Sequence, residues 1–312
     1  MTERAKHHQK KQTRCGFVAL IGEPNAGKST LLNQMVGVKV SIVTHKVQTT
    51  RTRIRGVAIH GDSQIVFIDT PGLFKPRRRL DRAMAAAAWA GSADADLVAL
   101  LVEAHRGLTA GVEAILTEIP TRIGDRPLVL VVNKIDRVKR SQLLGLVEEF
   151  AKRLDFCRIF MISAENGDGV DDFKTWLAET LPVGPWHYPE DDISDRPLRV
   201  LAAEITREKL TLRLHQELPY QMTVETERWE DRKDGSTRIE QVIYVVRDGH
   251  KGIVLGKKGE TIKAISQAAR HAIATLIERP TQLFLRVAAA PDWQRDPDRY
   301  RAMGLDFSDT RE

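Results

Sequence analysis

The sequence has little of what secreted, disulfide-bonded or membrane-spanning proteins need. Its 312 residues contain two cysteines, Cys15 and Cys157, which are far apart and offer neither a disulfide framework nor metal-ligand spacing. That scarcity is typical of a reducing cytosol. The longest apolar runs, AMAAAAWA and LVALLV, are well below the roughly 20 residues that a membrane span requires. No segment of this sequence is therefore expected to cross a membrane.

Acidic or basic excess is also small outside the N-terminus. The stretch MTERAKHHQKKQTR lacks the apolar core of a signal peptide, and we predict a disordered basic arm over residues 1–14. The net charge of +6 is uneven: residues 1–15 hold five Lys/Arg against one acid, residues 16–182 hold 22 against 19, and residues 183–312 hold 21 against 22. Because the second half is not basic overall, RNA binding there has to depend on local patches.

Continuous apolar runs recur through the first half of the chain. They are FVALI (17–21), IVFI (65–68), LVALLV (97–102), LVLVV (128–132) and IFMI (159–162). Such runs, separated by amphipathic stretches, are typical of buried parallel strands with crossover helices. The pattern predicts a doubly wound, mostly parallel α/β domain over residues 15–182.

The pattern changes after a Pro- and acid-rich linker, which we predict over residues 183–196. An amphipathic helical stretch is followed by two alternating strands around an Asp-Gly turn, a glycine loop, a further helix and a last strand. The order α-β-β-α-α-β predicts a small α+β domain over residues 197–290. Residues 291–312 are left as a C-terminal tail.

The first glycine loop, GEPNAGKST, has the chemistry of a phosphate site. Gly22, Gly27, Lys28 and Ser29 fill the pattern G-x-x-x-x-G-K-S directly after a predicted strand and before a predicted helix. The glycines let backbone N–H groups approach phosphates, and the helix N-terminus adds its positive end. Lys28 is expected to reach the β/γ-phosphates, and the Ser29 hydroxyl is expected to ligate Mg²⁺.

The NKID stretch indicates which base the bound nucleotide carries. It follows the strand LVLVV, where Asp136 can accept hydrogen bonds from the guanine ring N–H and exocyclic amine, which adenine does not offer at those positions. Asn133 can bond the guanine edge and join loops, and the Lys134 stem can lie against the base. A buried carboxylate that the wrong base would leave unpaired discriminates by roughly 10⁴-fold in favourable cases.

Three shorter motifs complete the predicted site. DTPG ends the strand IVFI, so that Asp69 is placed for Mg²⁺ and the Gly72 N–H for a γ-phosphate. In KVQTTRTRI the second hydroxyl on Mg²⁺ is assigned to Thr50, with Thr49 as the alternative. SAE follows another strand, where the Ala164 N–H could bond the guanine carbonyl.

In these motifs the chain resembles the Era family of GTPases. GEPNAGKST, QTTR, DTPGL, NKID and SAE stand in the order and approximate spacing of that family, and YPED, EITREKL, ELPY and the later GKKG continue the match. The resemblance covers nearly the whole chain apart from the N-terminal arm and the last few residues. It implies a P-loop GTPase domain followed by a type II KH domain, with GTP or GDP and Mg²⁺ as cofactors.

The resemblance also gives the full set of expected site residues. The nucleotide is expected to contact Gly22, Asn25, Ala26, Gly27, Lys28, Ser29, Thr30, Asp69, Thr70, Pro71, Gly72, Asn133, Lys134, Asp136, Ser163 and Ala164. The expected metal ligands are Ser29, Thr50 and Asp69. The residues expected to act in hydrolysis are Lys28, Thr50, Asp69 and Gly72.

Two residues refine the expected mechanism. Leu73 stands where many regulatory GTPases carry a water-orienting glutamine, so unaided hydrolysis is expected at about 10⁻⁴ to 10⁻² s⁻¹. Asn25 lies inside the P-loop, where related GTPases use asparagine to hold potassium. Potassium stimulation is therefore a hypothesis, and its alternative is that Asn25 caps a turn.

The second glycine loop, GKKG, is predicted to hold RNA. In a KH module a G-x-x-G loop clamps the backbone of about four single-stranded nucleotides. The residues expected at the RNA are Lys251, Ile253, Gly256, Lys257, Lys258, Gly259 and Lys263. Aromatic residues are sparse near the loop, so apolar groove walls and base-edge hydrogen bonds are expected to carry recognition.

The resemblance implies a target that composition could not show. It is the 3′ end of 16S ribosomal RNA, bound in the course of small (30S) subunit assembly and maturation. The implied location is cytoplasmic and ribosome-associated, with peripheral contact to the inner membrane as a further expectation, and a monomer is the default. Three alternatives stay open: an RNA-binding protein whose GTPase domain hydrolyses poorly and acts on another RNA, a P-loop kinase or transferase, and a GTPase acting on transfer RNA.

Both candidate switch segments are strongly basic. Arg51, Arg53 and Arg55 alternate and are expected to emerge on one side of a strand, while residues 75–79 add four more basic side chains. We hypothesise that these segments contact either ribosomal RNA or the KH domain in a nucleotide-dependent way.

Overall fold

The computed structural model describes residues 12–46, 49–76, 78–215 and 217–307. Its first domain contains β1 (Arg14–Ile21), α1 (Lys28–Val36), β2 (Ile54–His60), β3 (Ser63–Asp69), α2 (Arg79–Ala93), β4 (Leu97–Glu103), α3 (Ala110–Ile123), β5 (Leu128–Asn133), α4 (Arg140–Ala151), β6 (Arg158–Ile162) and α5 (Val170–Thr180). The second part contains α6 (Leu198–Arg213), β7 (Met222–Asp231), β8 (Thr237–Val245), α7 (Asp248–Leu255), α8 (Glu260–Ile277), β9 (Thr281–Ala289) and α9 (Pro297–Ala302).

The first domain is the predicted doubly wound sheet. Six strands lie in the order β2-β3-β1-β4-β5-β6, and every neighbouring pair is parallel except β2 with β3. Strands β3, β4 and β5 are buried along their whole length, because helices cover both faces of the sheet. The five continuous apolar runs of the sequence fall in β1, β3, β4, β5 and β6, so this fold prediction is confirmed.

The second domain has the predicted α-β-β-α-α-β order. Its sheet is β7-β8-β9, with an antiparallel β7/β8 hairpin and a parallel β8/β9 pair. Helices α6 and α8 pack on one face through Ala202, Ile205, Ala269 and Ile273, which are all buried. The predicted small α+β domain after the doubly wound sheet is therefore confirmed as well.

The predicted linker lies along the open edge of the first sheet. The Val57 N–H of edge strand β2 donates to the carbonyl of Ile193 at 3.0 Å, and the Gln64 side-chain oxygen accepts from the N–H groups of His187 and Tyr188. At its start, the Thr13 hydroxyl donates to Gly184 at 2.9 Å. The linker thus covers strand hydrogen-bonding groups that a sheet edge would otherwise expose. Most of the predicted arm, residues 1–11, lies outside the described residues.

The segment predicted as a tail is structured as far as residue 307. Trp293 and Tyr300 are 2% and 0% exposed and pack with Leu80 and Met84 of α2, which belongs to the first domain. Helix α9 begins at an N-cap, Asp296, whose side chain accepts from a backbone N–H. The C-terminal segment therefore joins the KH domain to the helix that follows DTPG.

Candidate nucleotide site and RNA interface

The predicted nucleotide residues converge at one end of the first sheet. A cavity of about 440 Å³ opens beyond the carboxyl ends of β1, β3 and β5, and Asn25, Lys28, Ser29, Thr50 and Lys134 are among the residues that line it. Parallel strands bring their carboxyl ends to the same edge, where ligands of doubly wound folds bind. Residues that are distant in sequence thereby share one cavity.

The loop between β1 and α1 needs glycine at Gly27. This residue has φ +97°, in the left-handed region, and a Cβ there would lie 2.1 Å from Nδ2 of Asn133. Any side chain would therefore displace the asparagine as well as strain the backbone. Helix α1 begins at Lys28, directly after this glycine, so its N-terminus faces the cavity.

Lys28 is held inside the loop by the chain itself. Its Nζ donates to the carbonyls of Gly22 and Glu23 at 3.0 and 2.9 Å. Burial lowers the pKa of Lys28 to about 8, against the opposing effect of Asp69 and other nearby carboxylates. An anion in the cavity would offset this burial and favour the charged ammonium.

The three predicted metal ligands meet. Oγ of Ser29 donates to Oδ2 of Asp69 at 2.7 Å and lies 2.9 Å from Oγ1 of Thr50. A further hydroxyl, that of Ser41, donates to the same Asp69 oxygen at 2.9 Å. Hydroxyl and carboxylate oxygens are the donors that Mg²⁺ prefers.

Asp69 has an oxygen left over for a cation. Its side chain is fully buried, and Oδ1 has no hydrogen-bond partner among the described residues. Burial raises the pKa of Asp69, against the lowering effect of its hydrogen bond to Ser29. A buried acceptor without a partner is costly, so this donor set fits a divalent cation.

The geometry favours Thr50 over Thr49 of QTTR as the second hydroxyl on Mg²⁺, and the assignment stays a prediction. The Thr49 hydroxyl donates to the carbonyl of Lys46 at 2.7 Å and lies 2.7 Å from the Thr44 hydroxyl. It therefore closes a turn within its own loop. Thr50, rather than Thr49, lies beside Ser29.

Asn133 joins three loops of the site. Its Nδ2 donates to the carbonyl of Ala26 at 2.8 Å, and its Oδ1 accepts from the N–H groups of Lys134 and Ala164 at 2.8 and 3.0 Å. The expected bond between the Ala164 N–H and a guanine carbonyl stays a prediction, because this N–H donates to Asn133 here.

Lys134 and Asp136 occupy the predicted base-binding end. Nζ of Lys134 donates to the carbonyl of Asn25 at 2.7 Å and pairs with Glu103, which is 7% exposed. Asp136 is about a quarter exposed and has Arg137 at 3.9 Å. Its carboxylate is thus accessible to a base, while Lys134 is fixed over the P-loop.

Other predicted residues lie at the site but use their side chains elsewhere. The Thr70 hydroxyl donates to the carbonyl of Leu20 at 2.7 Å, so it supports the sheet rather than facing the cavity. Gly72 lies against Pro24 of the P-loop, where a Cβ would come within 2.7 Å. Ser163 is fully buried, and its hydroxyl accepts from the Asn166 N–H. Pro71 and Thr30 flank these positions in the chain.

The residue after DTPG is buried. Leu73 is 3% exposed and packs with α2 and β4, and its N–H donates to the carbonyl of Gly22 at 2.9 Å. It belongs to the core and cannot orient water.

Asn25 has φ +66°, and its Nδ2 donates to the His45 carbonyl at 3.1 Å.

The second glycine loop forms a tight turn between α7 and α8. Gly256, Lys258 and Gly259 all have positive φ, at +74°, +52° and +79°. A Cβ on Gly256 would lie 2.1 Å from Oγ1 of Thr261, so this position has no room for a side chain. The side chains of Lys257 and Lys258 are exposed at the tip of the turn.

A groove of about 730 Å³ runs beside this turn. Ile253 is 57% exposed in it, and the polar wall contains Arg213, Arg247 and His250. Nδ1 of His250 is buried without a hydrogen-bond partner among the described residues. Lys263 is exposed on α8, whereas Lys251 pairs with Asp248 at 2.7 Å.

The basic switch residues do not share one exposed side, and this expectation was wrong. Strand β2 begins only at Ile54, so Arg51 and Arg53 precede it. Arg51 is 3% exposed and donates to the carbonyls of Pro219 and Met222 in the KH domain. Arg53 instead pairs with Asp94 at 3.0 Å.

The second basic segment also makes intramolecular contacts. The Arg79 guanidinium lies 3.7 Å from the ring centroid of Phe307 and donates to its carbonyl, and Arg78 pairs with Glu217. Arg77 lies outside the described residues. The contact with the KH domain, one of the two alternatives, therefore exists in this structure.

Several residues of the site were missed by the sequence reasoning. Ser41 and Glu103 contact Asp69 and Lys134, yet neither lies in a recognisable motif. Their roles depend on the path of a loop and on strand register, which have no short sequence pattern.

Among the described residues there is no group of three or more His, Cys, Asp or Glu side chains that could hold a metal, and no helix is long and apolar enough to cross a membrane.

Comparisons with known proteins match both domains of the chain. A family profile described as "50S ribosome-binding GTPase" matches residues 17–134, and one described as "KH domain" matches residues 217–294. The chain is 65% identical to GTPase Era of Dinoroseobacter shibae over 298 residues, covering 95% of this chain and 97% of the relative. It is 62% identical to GTPase Era of Rhizobium meliloti over 295 residues, covering 95% and 94%.

Two solved structures resemble the whole chain. One is Era in complex with MgGDPNP and nucleotides 1506–1542 of 16S ribosomal RNA, with a TM-score of 0.88, 36% identity, and coverage of 94% of this chain and 99% of that chain. The other is a variant of Aquifex aeolicus Era bound to GDP and AlF4⁻, with the same TM-score, identity and coverage.

Proposed function

The chain belongs to the Era family of GTPases, and we propose that it is a GTP-hydrolysing switch that binds the 3′ end of 16S ribosomal RNA through its KH domain and assists small-subunit assembly. The proposed binding of GTP with Mg²⁺ is supported by one observation above all: Ser29, Thr50 and Asp69 lie together beside Lys28. The RNA half is supported by the basic, glycine-built turn at 256–259 and by the relative of known structure that holds 16S RNA.

Lys28 and the loop around it would hold the phosphates. The Lys28 ammonium would exchange its two carbonyl partners for phosphate oxygens, which would stabilise the charge that burial disfavours. Backbone N–H groups at the start of α1 would donate to the same phosphates. Asp136 would accept from the guanine ring, with Asn133 fixing the loop that carries it.

Ser29, Thr50 and Asp69 would hold Mg²⁺, with the unpartnered Asp69 Oδ1 as a further acceptor. Bound Mg²⁺ supplies neutralisation of phosphate charge. The Gly72 N–H lies next to the P-loop and would register the γ-phosphate. Leu73 occupies the position after DTPG and cannot orient water, so slow unaided hydrolysis of GTP stays the prediction.

Potassium stimulation also stays a prediction. Asn25 contacts the backbone of the loop that carries Thr50, at the His45 carbonyl. This contact is compatible with either a role in holding potassium or simple loop capping. Equal hydrolysis rates in potassium and sodium would dismiss the potassium role.

The KH groove has the features of a single-strand RNA site. Lys257 and Lys258 would neutralise phosphates at the turn, and Ile253 offers an exposed apolar wall. A monomeric state is the default, a cytoplasmic location is predicted from the scarcity of cysteine and the family resemblance, and peripheral contact with the inner membrane is predicted from that resemblance alone.

The proposed RNA target can be tested by crosslinking in cells and sequencing the bound fragments. We expect Gly259→Asp to remove a peak at the 3′ end of small-subunit RNA, because an acidic side chain at the turn would repel phosphate. Gly235→Asp is a matched control: this glycine also has positive φ, at +80°, and open space around a Cβ, but lies in the β7–β8 turn. An unchanged peak in Gly259→Asp would place the contact elsewhere, and reads dominated by another RNA would favour the alternative of a different RNA target.

A further inference from the structure

The loop that carries Thr50 is attached on both sides to the KH domain. Residues 49–53 precede β2, and their contacts lead away from the GTPase sheet. Thr50 itself is 7% exposed and meets Ser29 at 2.9 Å. The residues before and after it are bonded to the second domain.

Arg51 provides the first attachment. Its guanidinium donates to the carbonyl of Met222 at 2.8 Å and to that of Pro219 at 3.0 Å, and its Cζ lies 5.7 Å from the ring centroid of Trp293. The side chain is 3% exposed. Two directed bonds from one planar group fix the guanidinium and thereby tether residue 51 to the second domain.

Arg207 of α6 provides the second attachment. It is 2% exposed, and one of its terminal nitrogens donates to the carbonyl of Thr49. Its Nε donates to the Glu204 carboxylate at 2.8 Å, and this bond fixes the guanidinium on the helix. The Thr49 carbonyl belongs to the peptide unit that leads into Thr50, so this bond fixes the chain immediately before the candidate ligand.

The linker contributes a third contact just beyond. Arg196 donates to the carbonyl of Arg53 at 2.9 Å and to the Thr52 hydroxyl. Within this loop Thr50 is therefore the residue that faces Ser29, while its neighbours on both sides are bound to groups outside the GTPase sheet. A metal ligand on a loop needs such outside support, because partners of the ligand set its orientation.

We infer that Arg51 and Arg207 are positioning residues for the metal ligand Thr50, so that the KH domain forms the outer support of the Mg²⁺ site. This inference rests on the proposed function of the nucleotide site. Without the two arginine contacts, the loop would have to order residues 49–51 at the moment of binding, and Thr50 would occupy its place for less of the time.

The test uses the full chain and a fluorescent, non-hydrolysable GTP analogue, and measures the Mg²⁺ concentration that gives half-maximal slowing of analogue release. We expect Arg51→Gln and Arg207→Lys each to raise that concentration about tenfold. Arg207→Lys keeps a cation beside Glu204 but cannot reach the Thr49 carbonyl in the same way. The matched control is Arg153→Gln, which removes an arginine paired with Glu113 inside the GTPase domain and should leave the value unchanged.

A second comparison separates positioning from general destabilisation. In a Thr50→Val background the ligand is gone, so Arg51→Gln should add no further change in Mg²⁺ dependence if it acts through Thr50. An unshifted Mg²⁺ dependence in both arginine variants, or a full additional tenfold shift on top of Thr50→Val, would overturn the inference. If release from the wild-type chain were itself independent of Mg²⁺, the proposed metal site would fail, and the inference with it.

Discussion

Asn133 and Ala26 are separated by 107 positions in the chain, yet Nδ2 of Asn133 donates to the Ala26 carbonyl at 2.8 Å. The same side chain accepts from the Ala164 N–H through its other end. One buried amide thus ties the phosphate loop to both loops at the base end of the site. The parallel order of β1, β4, β5 and β6 makes this possible, since their carboxyl ends lie at one edge.

Replacing that amide should loosen the whole site. We expect Asn133→Ala to weaken GDP binding by about 10- to 100-fold, because the buried Ala26 carbonyl and Ala164 N–H would lose their partner at about 1–3 kcal/mol. Isothermal titration with GDP measures the effect. Asn166→Ala, at an exposed position in the neighbouring loop, is the control and should bind as the wild type does. Equal affinity in both variants would contradict the role of Asn133.

Asp136 should decide which base is bound. In Asp136→Asn an amide donor would face the guanine amine, so the affinity for GTP should fall by about 10²-fold or more. Xanthosine triphosphate has a carbonyl at that position, so its affinity for the variant should rise. Displacement of one labelled nucleotide by GTP and by xanthosine triphosphate measures this change of preference. A loss of both affinities together would mean that Asp136 supports the loop rather than reads the base.

Nucleotide affinity should depend on pH through Lys28. Its pKa of about 8 in the free protein is below the ordinary value because of burial, and bound phosphates would raise it. Lys28 is charged below pH 8, so affinity should be full there. Above pH 8 binding must take up a proton, so GDP affinity should fall by as much as about tenfold per pH unit.

The control for this pH series is GMP. It carries the same guanine ring but lacks the β-phosphate, so ring titration affects both ligands, whereas the Lys28 effect should appear with GDP alone. Parallel pH profiles for the two nucleotides would place the titrating group on the ring.

The C-terminal segment should contribute to stability far more than a tail would. Trp293→Ala removes a side chain that is 2% exposed between the KH domain and α2, and should lower the free energy of unfolding by about 3–5 kcal/mol. Phe284→Ala, at an aromatic that is 49% exposed on β9, should change it by less than about 1 kcal/mol. Denaturant unfolding of the two variants gives both values, and similar costs would contradict the packing described for Trp293.

Sequence patterns predicted the elements and motifs well because each has a local cause. Continuous apolar runs follow from strands buried on both faces, and the P-loop glycines follow from backbone approach to phosphate. The interdomain contacts had no such local cause. Arg51 looks like a solvated arginine in the sequence, and its burial depends on carbonyls of Pro219 and Met222 more than 160 positions away. Trp293 and Tyr300 likewise become core residues in a cluster that includes Leu80 and Met84 on α2 of the other domain.

The bonds between the loop that carries Thr50 and the KH domain predict that the state of the nucleotide site is communicated to an RNA-binding domain. The most direct measurement is the affinity of the full chain for a single-stranded oligonucleotide from the 3′ end of small-subunit RNA, with a non-hydrolysable GTP analogue and then with GDP. Because the loop carrying Thr50 is bonded to the KH domain, we expect the two affinities to differ by about fivefold or more, with tighter binding in the GTP-analogue state. Equal affinities would contradict this coupling and mean that the two domains act independently.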